Sequence, residues 1–398
     1  MLKFKLLELT PKIDFNDTQI AFSGKTDKEL KWEYWMFNLM SKSTLTNMLG
    51  ALAQISLKLH LPVKWMIKKT VYKQFCGGES LKETIAVLNK LEKYNIGAII
   101  DYGVEGKETE VEFERTKNEL IKIIQFAAGK KNIPFISCKV TGLTHFSLLE
   151  RIDADEVLNA EEIKEKDKLY SRIRQIAKAA EEADIGLFVD AEESWIQDAV
   201  DEITFELMRE FNTKKAIVYS TPQLYRHDRL EFCKLSLQDA MENNYILGLK
   251  PVRGAYMEKE RKRAAEKKYP SPIQPDKAAT DRDYDLAIDF CLENYRRIAI
   301  CVATHNEQSS LLALEKMHQK NIPHNHPHIY FSQLYGMSDQ ITFNLAKAGY
   351  NTAKYLPYGP VKDVIPYLMR RAQENKSVSG QMGREMALIN REIKRRGI

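Results

Sequence analysis

A predicted helix near the C-terminus carries an aromatic ring, two guanidinium groups and a carboxylate on one face. These residues are Tyr367, Arg370, Arg371 and Glu374, which stand at i, i+3, i+4 and i+7 shortly after a Tyr-Gly-Pro turn. Two neighbouring arginines can grip a carboxylate or a phosphate bidentately, because their planar forks match its oxygens. The same pattern is typical of a solvated helix whose arginines pair with its own glutamate. The helix alone therefore leaves both interpretations open.

Polar side chains also cluster at the ends of eight short apolar runs. The runs are Ala98–Tyr102, Phe135–Val140, Gly186–Asp190, Ala216–Ser220, Tyr245–Val252, Ile298–Thr304, His328–Leu334 and Asn351–Leu356. At or just after their ends stand Asp101 and Glu105, Lys139, Asp190 with Glu192 and Glu193, Gln223, Lys250 with Arg253 and Tyr256, Thr304-His305-Asn306, Gln333 and Tyr355. Parallel-barrel enzymes keep their chemistry at this end of the strands, so eight ends that behave alike favour an active site.

The elements that must position these residues form an alternating series. Each apolar run is rich in β-branched residues and is followed by a helical pattern, which predicts a parallel sheet covered by helices on its faces. Eight such units are the number needed for a closed (β/α)8 barrel, although a doubly wound sheet also uses them. We predict an α/β protein built on a distorted (β/α)8 TIM barrel, with an N-terminal helical arm and a C-terminal helix on the barrel mouth.

The predicted organisation has three parts: a helical arm over residues 1–90, the barrel over 91–378 and a basic amphipathic tail over 379–398. In the tail, apolar residues face a basic side, which suits either an anionic membrane surface or packing on the core; they are Met382, Met386, Ile389 and Ile393. The charged run Lys259–Lys268 is predicted to be a mobile, solvated loop. The histidines at 324, 326 and 328 are interpreted as solvated loop residues, so no metal site is predicted.

Composition limits the class of protein. The chain has 398 residues, a formal net charge of +5 and five cysteines without a C-x-x-C pair. The small charge does not suggest nucleic-acid binding, and the cysteines favour a reducing compartment over a disulfide framework. Acidic residues near the start argue against a transit peptide, and Leu45–Leu61 is too short and too polar to span a bilayer. We expect a bacterial cytoplasmic protein, soluble or peripheral on the inner face of the cytoplasmic membrane.

Four ordered motifs resemble those of the proline dehydrogenase family. They are Phe188-Val189-Asp190-Ala191-Glu192-Glu193-Ser194, Leu249-Lys250-Pro251-Val252-Arg253-Gly254-Ala255-Tyr256, Ala303-Thr304-His305-Asn306 and Tyr367-Leu368-x-Arg370-Arg371-x-x-Glu374. The resemblance covers roughly residues 60–378 and is nearer to monofunctional animal-type members than to bifunctional bacterial ones. It implies that FAD accepts a hydride from L-proline, which becomes 1-pyrroline-5-carboxylate, and that a membrane quinone then takes the electrons.

The resemblance also implies roles for individual residues. Arg370 and Arg371 hold the proline carboxylate, with Lys139 as a further cationic contact, and Glu105 is a gating carboxylate that pairs with the first arginine. The ring pocket is lined by Tyr355, Tyr367, Tyr256 and Leu334. The positions that hold FAD are Asp190, Gln223, Lys250, Val252, Gly254, Ala255, Thr304, His305, Asn306 and Glu374. Lys250 and Arg253 are candidates to stabilise the anionic reduced flavin, and Met257 replaces a tryptophan of some bacterial members.

Three other hypotheses remain. A hydroxyproline dehydrogenase would carry out the same kind of oxidation. In those enzymes, however, the resemblance implies a smaller residue at the position of Tyr355. A flavin-free barrel lyase would use Lys139 or Lys250 as a Schiff-base nucleophile and would be colourless. A non-enzymatic scaffold would use the arm and the tail, and it would leave the ring of polar strand ends unexplained.

Overall fold

All eight predicted strands are present, and they pair in parallel. The computed structural model describes residues 13–41, 64–103, 108–365, 367–368 and 379–398. Its strands are β1 (Ile96–Tyr102), β2 (Phe135–Cys138), β3 (Gly186–Val189), β4 (Val218–Tyr219), β5 (Leu247–Leu249), β6 (Ile298–Ala303), β7 (Ile329–Leu334) and β8 (Thr352–Tyr358). Their order in the sheet is β4-β3-β2-β1-β8-β7-β6-β5. The predicted α/β barrel class is confirmed.

The sheet comes close to closing between β4 and β5. Ser220 bridges to Leu249 in parallel, and its backbone N–H donates to the Gly248 carbonyl at 3.0 Å. The Lys250 N–H donates back to the Ser220 carbonyl at 2.8 Å. A side chain at Gly248 would place its Cβ only 2.3 Å from the Val218 carbonyl oxygen, so glycine is needed for the two strands to approach. The barrel is therefore nearly closed, through a short hydrogen-bonded contact at this point.

An aromatic cluster fills the barrel interior. The Phe135 and Phe188 rings stack with centroids 4.4 Å apart, and Tyr219 meets both edge-on at 5.5 and 5.2 Å. Small residues on other strands, such as Ala299 and Ala353, leave room for these rings. Successive side chains of a strand alternate in direction, so Phe188 and Asp190 point to the same side. The filled interior thus supports the polar residues at the C-terminal end of the strands.

Helices connect the strands, and further helices precede the first strand and follow the last one. They are α1 (Thr18–Ala21), α2 (Asp27–Ser41), α3 (Lys64–Ile67), α4 (Lys73–Phe75), α5 (Leu81–Glu92), α6 (Glu110–Ala127), α7 (Phe146–Asp153), α8 (Ala160–Ala183), α9 (Gln197–Phe211), α10 (Arg229–Glu242), α11 (Met257–Lys267), α12 (Lys277–Glu293), α13 (Glu307–Gln319), α14 (Asp339–Lys347) and α15 (Ser379–Arg396); a π-helical turn, Lys68–Tyr72, joins α3 to α4. Capping residues begin several of them. Asn159 forms a capping box with Glu162 at the start of α8.

The prediction of a loop over Lys259–Lys268 is wrong, because this charged run forms α11. Glu260 is fully buried and accepts hydrogen bonds from the Ser194 N–H and hydroxyl, both at 2.6 Å. One turn later, the Arg263 guanidinium lies over the Trp195 ring at 4.3 Å. The buried face of the helix is therefore held by polar and cation–π contacts, which a search for apolar periodicity does not detect.

The first described helices pack against the C-terminal one. Leu388 and Ile389 of α15 are buried in one apolar cluster with Met36 and Phe37 of α2, while Met386 is half-buried against the same cluster. Core packing, one of the two alternatives predicted for the tail, is thus what the structure shows for this face. The predicted helical segment at 45–61 lies outside the described residues. Among the helices that are described, none combines the length and the apolar character needed to cross a membrane.

Candidate active site

Asp190 is the centre of a charged cluster at the C-terminal mouth of the barrel. One carboxylate oxygen, Oδ1, accepts from Lys250 Nζ, and the other, Oδ2, accepts from the Tyr355 hydroxyl at 2.7 Å. Lys139 Nζ lies 3.9 Å from Oδ2 and 3.8 Å from Asp101 Oδ1. Each of these five residues lies in, or directly after, a different strand. The nearly closed barrel therefore brings them together. The sequence predicted this convergence.

Burial makes the pairing in this cluster obligatory. Asp190 is 9% exposed and Lys250 is 5% exposed, and a buried charge without a partner is costly. Burial by itself raises the pKa of Asp190, but the attraction of Lys250 and Lys139 outweighs it and holds the pKa below its usual range. Burial, with the negative charges of Asp101 and Asp190, raises the pKa of Tyr355 well above its usual value. The cluster therefore contains an ionised carboxylate and a neutral phenol that donates to it.

Two aromatic rings and a serine complete the setting of the cluster. Lys250 Nζ lies 4.8 Å from the centroid of the Phe188 ring and 5.4 Å from that of Tyr355, distances at which a cation is attracted to an aromatic face. The Tyr355 hydroxyl also lies 3.2 Å from the Ser137 hydroxyl. Ser137 was not among the residues predicted from the sequence. Strand alternation gives the signal, because Ser137 stands between Phe135 and Lys139 at a spacing of two.

The loops after β4 and β5 run side by side. Gln223 bridges to Val252 in parallel; its side-chain amide donates to the Glu192 carbonyl at 2.7 Å, and its oxygen lies 3.4 Å from the Ala255 N–H. Gly254, which lies between Val252 and Ala255 in the chain, has φ +127°, and a Cβ at this position would lie 2.5 Å from the Tyr225 ring. This conformation is open to glycine only. The backbone from 252 to 255 thus forms a tightly held platform at the mouth.

Arg253 joins this platform to the loop after β6. Its Nε donates to Asp281 at 2.6 Å, Nη1 to the Thr304 hydroxyl at 2.8 Å and Nη2 to the Ser309 hydroxyl at 2.9 Å. The guanidinium also covers the Tyr284 ring at 4.3 Å. Lys250 and Arg253 were the two candidates to stabilise the anionic reduced flavin. Arg253 binds protein side chains through all of these nitrogens, whereas Lys250 lies in the central cluster beside Asp190. Sequence reasoning missed Asp281 and Ser309, which carry no motif.

The Thr304-His305-Asn306 segment forms the turn from β6 into α13. The Thr304 hydroxyl accepts from the Asn306 N–H at 3.0 Å, and the Asn306 side chain caps α13 by accepting from the N–H groups of residues 308 and 309 at 2.8 and 3.3 Å. His305 Nδ1 lies 2.9 Å from the Ser338 hydroxyl. The start of this helix presents its positive dipole end, which suits an anionic group such as phosphate.

The remaining predicted residues fall into two groups. Tyr256 is half-buried immediately before α11, and Leu334 is half-buried at the end of β7. Tyr367 is 5% exposed and belongs to the apolar cluster that Leu334 packs against. Four predicted residues lie outside the described part of the chain, namely Glu105, Arg370, Arg371 and Glu374. The structure thus places Tyr367 and Leu334 in one apolar cluster and Tyr355 in the central charged cluster.

A nearly closed parallel barrel with a buried charged cluster at its C-terminal mouth has the architecture of a (β/α)8-barrel enzyme. A family model described as proline dehydrogenase matches residues 84–384. This span is more than half of the chain, and the chain belongs to the proline dehydrogenase family.

Comparisons with individual proteins agree with this family. The chain is 30% identical to the mitochondrial proline dehydrogenase 1 of Dictyostelium discoideum, over 97% of this chain and 75% of that protein. It is also 30% identical to the carbapenem antibiotics biosynthesis protein CarD of Pectobacterium carotovorum, with coverages of 96% and 98%, and to the hydroxyproline dehydrogenase of Xenopus laevis, with coverages of 96% and 90%.

A solved structure shows the same fold. The proline utilization A protein of Bdellovibrio bacteriovorus superposes with a TM-score of 0.70 at 23% identity, over 90% of this chain and 38% of that longer one. A match at this identity establishes the architecture of the barrel.

Proposed function

We propose that this protein oxidises L-proline to 1-pyrroline-5-carboxylate, with FAD as the hydride acceptor. Membership of the proline dehydrogenase family over residues 84–384 carries this proposal. The cluster of Asp190, Lys250 and Tyr355 at the barrel mouth supports it, because the family resemblance assigns these positions to the flavin and the substrate ring.

The donor groups at the mouth fit FAD. The start of α13 brings the positive end of a helix dipole to the mouth, which suits a pyrophosphate, and the platform from Val252 to Ala255 brings backbone close to the mouth. We propose that these residues hold FAD with Gln223, Lys250 and His305, and that Asp190, Gly254, Thr304 and Glu374 complete the site. When bound, FAD supplies the acceptor for a hydride. Lys250 is then placed to stabilise negative charge that develops near it.

We propose that the remaining predicted residues form the substrate site. Arg370 and Arg371 would clamp the carboxylate of proline, with Lys139 as a further cation and Glu105 as the gate, while Tyr355, Tyr367, Tyr256 and Leu334 surround the ring. A clamp at one end of a small rigid ring orients the carbon next to nitrogen, which is the carbon that loses the hydride.

The reaction also needs an acceptor for one proton. Oxidation would convert the C–N single bond of the ring to C=N; bound FAD would accept the hydride lost from carbon, and an uncharged ring nitrogen would give up one proton. Asp190 is a poor base for that proton, because Lys250 and Tyr355 occupy its two oxygens and its pKa is held low. We therefore propose that water takes the proton, and that a quinone reoxidises the flavin.

The decisive experiment is the visible spectrum of the purified protein, before and after addition of L-proline without oxygen. A flavin spectrum that bleaches supports cofactor, substrate and reaction together. A flavin that stays oxidised overturns proline as the substrate. A protein that remains colourless after incubation with FAD overturns the proposal and favours the lyase, whose Schiff base borohydride would trap.

Arg371→Lys provides a specific test of the proposed carboxylate clamp. Lysine keeps the positive charge but loses the bidentate fork, so KM for proline should rise far more than the flavin content falls. An equal loss of both would instead identify Arg371 as a structural residue.

Hydroxyproline is the second candidate substrate, since the Xenopus laevis hydroxyproline dehydrogenase is a relative over most of this chain. Tyr355 argues for proline. Its hydroxyl donates to Asp190 at 2.7 Å, and we propose that it reaches over the substrate ring, where it would crowd a 4-hydroxyl group. Tyr355→Ser should narrow the ratio of kcat/KM between proline and hydroxyproline, whereas an unchanged ratio would remove this tyrosine from substrate selection.

The proposal extends to cellular setting and organisation. Arg391, Lys394 and Arg395 remain exposed on α15, and we propose that they attract an anionic membrane surface where the quinone resides. Binding to anionic but not neutral vesicles, weakened by salt, would support this contact.

We also propose that the chain is divided into an arm at 1–90, a barrel at 91–378 and a tail at 379–398, and that the protein is located in the bacterial cytoplasm.

A further inference from the structure

Two adjacent residues of α15 contact the starts of α13 and α14. Arg384 donates to both carboxylate oxygens of Glu307, the first residue of α13, at 3.1 and 3.2 Å. The next residue, Glu385, is 5% exposed. Its Oε1 accepts from the backbone N–H of Ser338 and, at 3.1 Å, from the Ser338 hydroxyl. The C-terminal helix is thus tied to the mouth of the barrel by direct polar contacts.

Ser338 connects Glu385 to His305. Its hydroxyl oxygen lies 2.9 Å from His305 Nδ1. Ser338 is buried at the start of α14 with φ +51°, and its side chain makes no capping bond to that helix. Left-handed backbone is uncommon for a residue other than glycine, and strain of this kind is found at functional sites. The conformation places the N–H and the hydroxyl of Ser338 toward the same carboxylate.

The direction of the hydrogen bonds follows from the chemistry of the three groups. An ionised carboxylate only accepts, so the hydroxyl proton of Ser338 goes to Glu385. The hydroxyl oxygen then accepts, which requires a proton on His305 Nδ1. In a neutral imidazole this leaves Nε2 as the acceptor nitrogen.

We propose that Glu385 is a positioning residue that acts through Ser338 to hold His305 in its Nδ1-protonated tautomer and in one ring orientation. The role of His305 toward FAD rests on the proposed function, whereas the tautomer does not. The family resemblance assigned His305 to the flavin, but it gave no role to Ser338 or Glu385.

The charges around Glu385 set the pH at which this arrangement holds. Burial, followed by the negative charges of Glu33 on α2 and Asp339 on α14, raises the pKa of Glu385 to about 7. Lys354 on β8 pairs with Asp339 at 2.7 Å, and Lys25 lies 3.0 Å from the same carboxylate. Glu385 is therefore ionised above about pH 7, which is where the tautomer is to be measured.

The test uses the protein as purified, labelled with ¹⁵N-histidine, at about pH 8.5. The chain has 8 histidines, and His305→Gln identifies the pair of ring resonances to follow. The wild type should show a protonated Nδ1 and an unprotonated Nε2. Ser338→Ala removes only the hydroxyl and leaves the backbone bond to Glu385, so the proton should redistribute toward Nε2. Glu385→Gln should act in the same direction, because the carboxylate no longer defines the direction of the hydroxyl.

Two control variants separate this relay from general packing. Ser236→Ala removes an equally buried hydroxyl, which donates to the Phe232 carbonyl at 2.6 Å. Arg384→Gln breaks the neighbouring contact of α15 with Glu307 and leaves the relay intact. Both should retain the wild-type tautomer. The dissociation constant for FAD should increase about tenfold in Ser338→Ala, the loss expected for one hydrogen bond, and should stay unchanged in Ser236→Ala.

The outcomes distinguish this inference from the proposed function. A wild-type His305 protonated on Nε2, or a tautomer that Ser338→Ala leaves unchanged, overturns the inference even if L-proline bleaches the flavin. A tautomer that responds to Ser338→Ala as expected, in a protein that L-proline does not reduce, supports the inference and overturns only the proposed substrate.

Discussion

The buried pair of Asp190 and Lys250 makes the most quantitative prediction. Asp190→Asn keeps the size of the side chain but removes its charge, leaving the Lys250 ammonium buried at 5% exposure without an anionic partner. Removal of one member of a buried ion pair costs about 3–5 kcal/mol. Lys139, 3.9 Å from the same carboxylate, keeps Asp101 at 3.8 Å as an acidic neighbour, so the loss should come mainly from Lys250 and fall within this range.

A double-mutant cycle isolates the pair. Lys250→Met alone should also destabilise the protein, but Asp190→Asn combined with Lys250→Met leaves no unpaired charge from either residue. The double variant should therefore be more stable than the sum of the single effects predicts, by about 2–3 kcal/mol. The measurement is urea unfolding of the flavin-free protein, with the free energy of unfolding taken from the midpoint and slope, because bound FAD would add its own stabilisation.

An exposed pair gives the matched control. Arg174 and Glu210 lie 2.7 Å apart with side chains 66% and 39% exposed, and the same cycle there should yield a coupling of about 0.5 kcal/mol or less. The pKa of Asp190 also determines how its contribution to the free energy of unfolding changes with pH. Because the pKa of Asp190 is lowered in the folded protein, its contribution is present above its ordinary value of 3.8 and is lost as the pH falls below it. Additive effects at Asp190 and Lys250 would refute the reasoning.

Three further predictions concern other parts of the site. Gly254→Ala should lower the free energy of unfolding by about 1–3 kcal/mol and reduce the FAD content, because its Cβ would lie 2.5 Å from the Tyr225 ring at φ +127°; Gly129→Ala, where no atom lies within 4 Å, should cost less in the same urea experiment. Glu260→Gln should lose about 1.5–3 kcal/mol and speed amide exchange in α11, since its carboxylate binds the Ser194 N–H and hydroxyl; unchanged exchange would contradict this. The contribution of Glu385 to stability should fall as the pH rises from 4.5 to about 7, because Glu385 binds its proton more tightly when folded. This loss is about 3 kcal/mol at 1.36 kcal/mol per pKa unit, and it should appear as the difference between the wild type and Glu385→Gln in a series of urea unfolding curves.

The sequence was most informative where structure depends on local periodicity. Each apolar run became a strand, and the side chains that end those runs meet at one mouth because parallel strands in a barrel all point the same way. Asp190, Lys250 and Tyr355 could therefore be predicted to meet, and the structure places them in hydrogen-bonding contact. The same logic of alternation would have found Ser137.

The sequence was misleading where a helix is held by polar contacts. The run Lys259–Lys268 has the composition of a solvated loop, but Glu260 is buried against Ser194, a residue 66 positions away in the chain. No periodic apolar pattern marks such a helix, since its stability comes from partners that are distant in sequence.

The sequence by itself determined the eight β/α units, the barrel class and the end of the barrel where the polar residues gather, because strand alternation and helix periodicity are local properties of the chain. Only the tertiary structure decided that Arg253 binds Asp281, Thr304 and Ser309. It also decided that Glu385 reaches His305 through Ser338, and that α15 packs on α2. These contacts join residues that are far apart in the chain. Which residues meet is therefore decided by the three-dimensional packing of the elements.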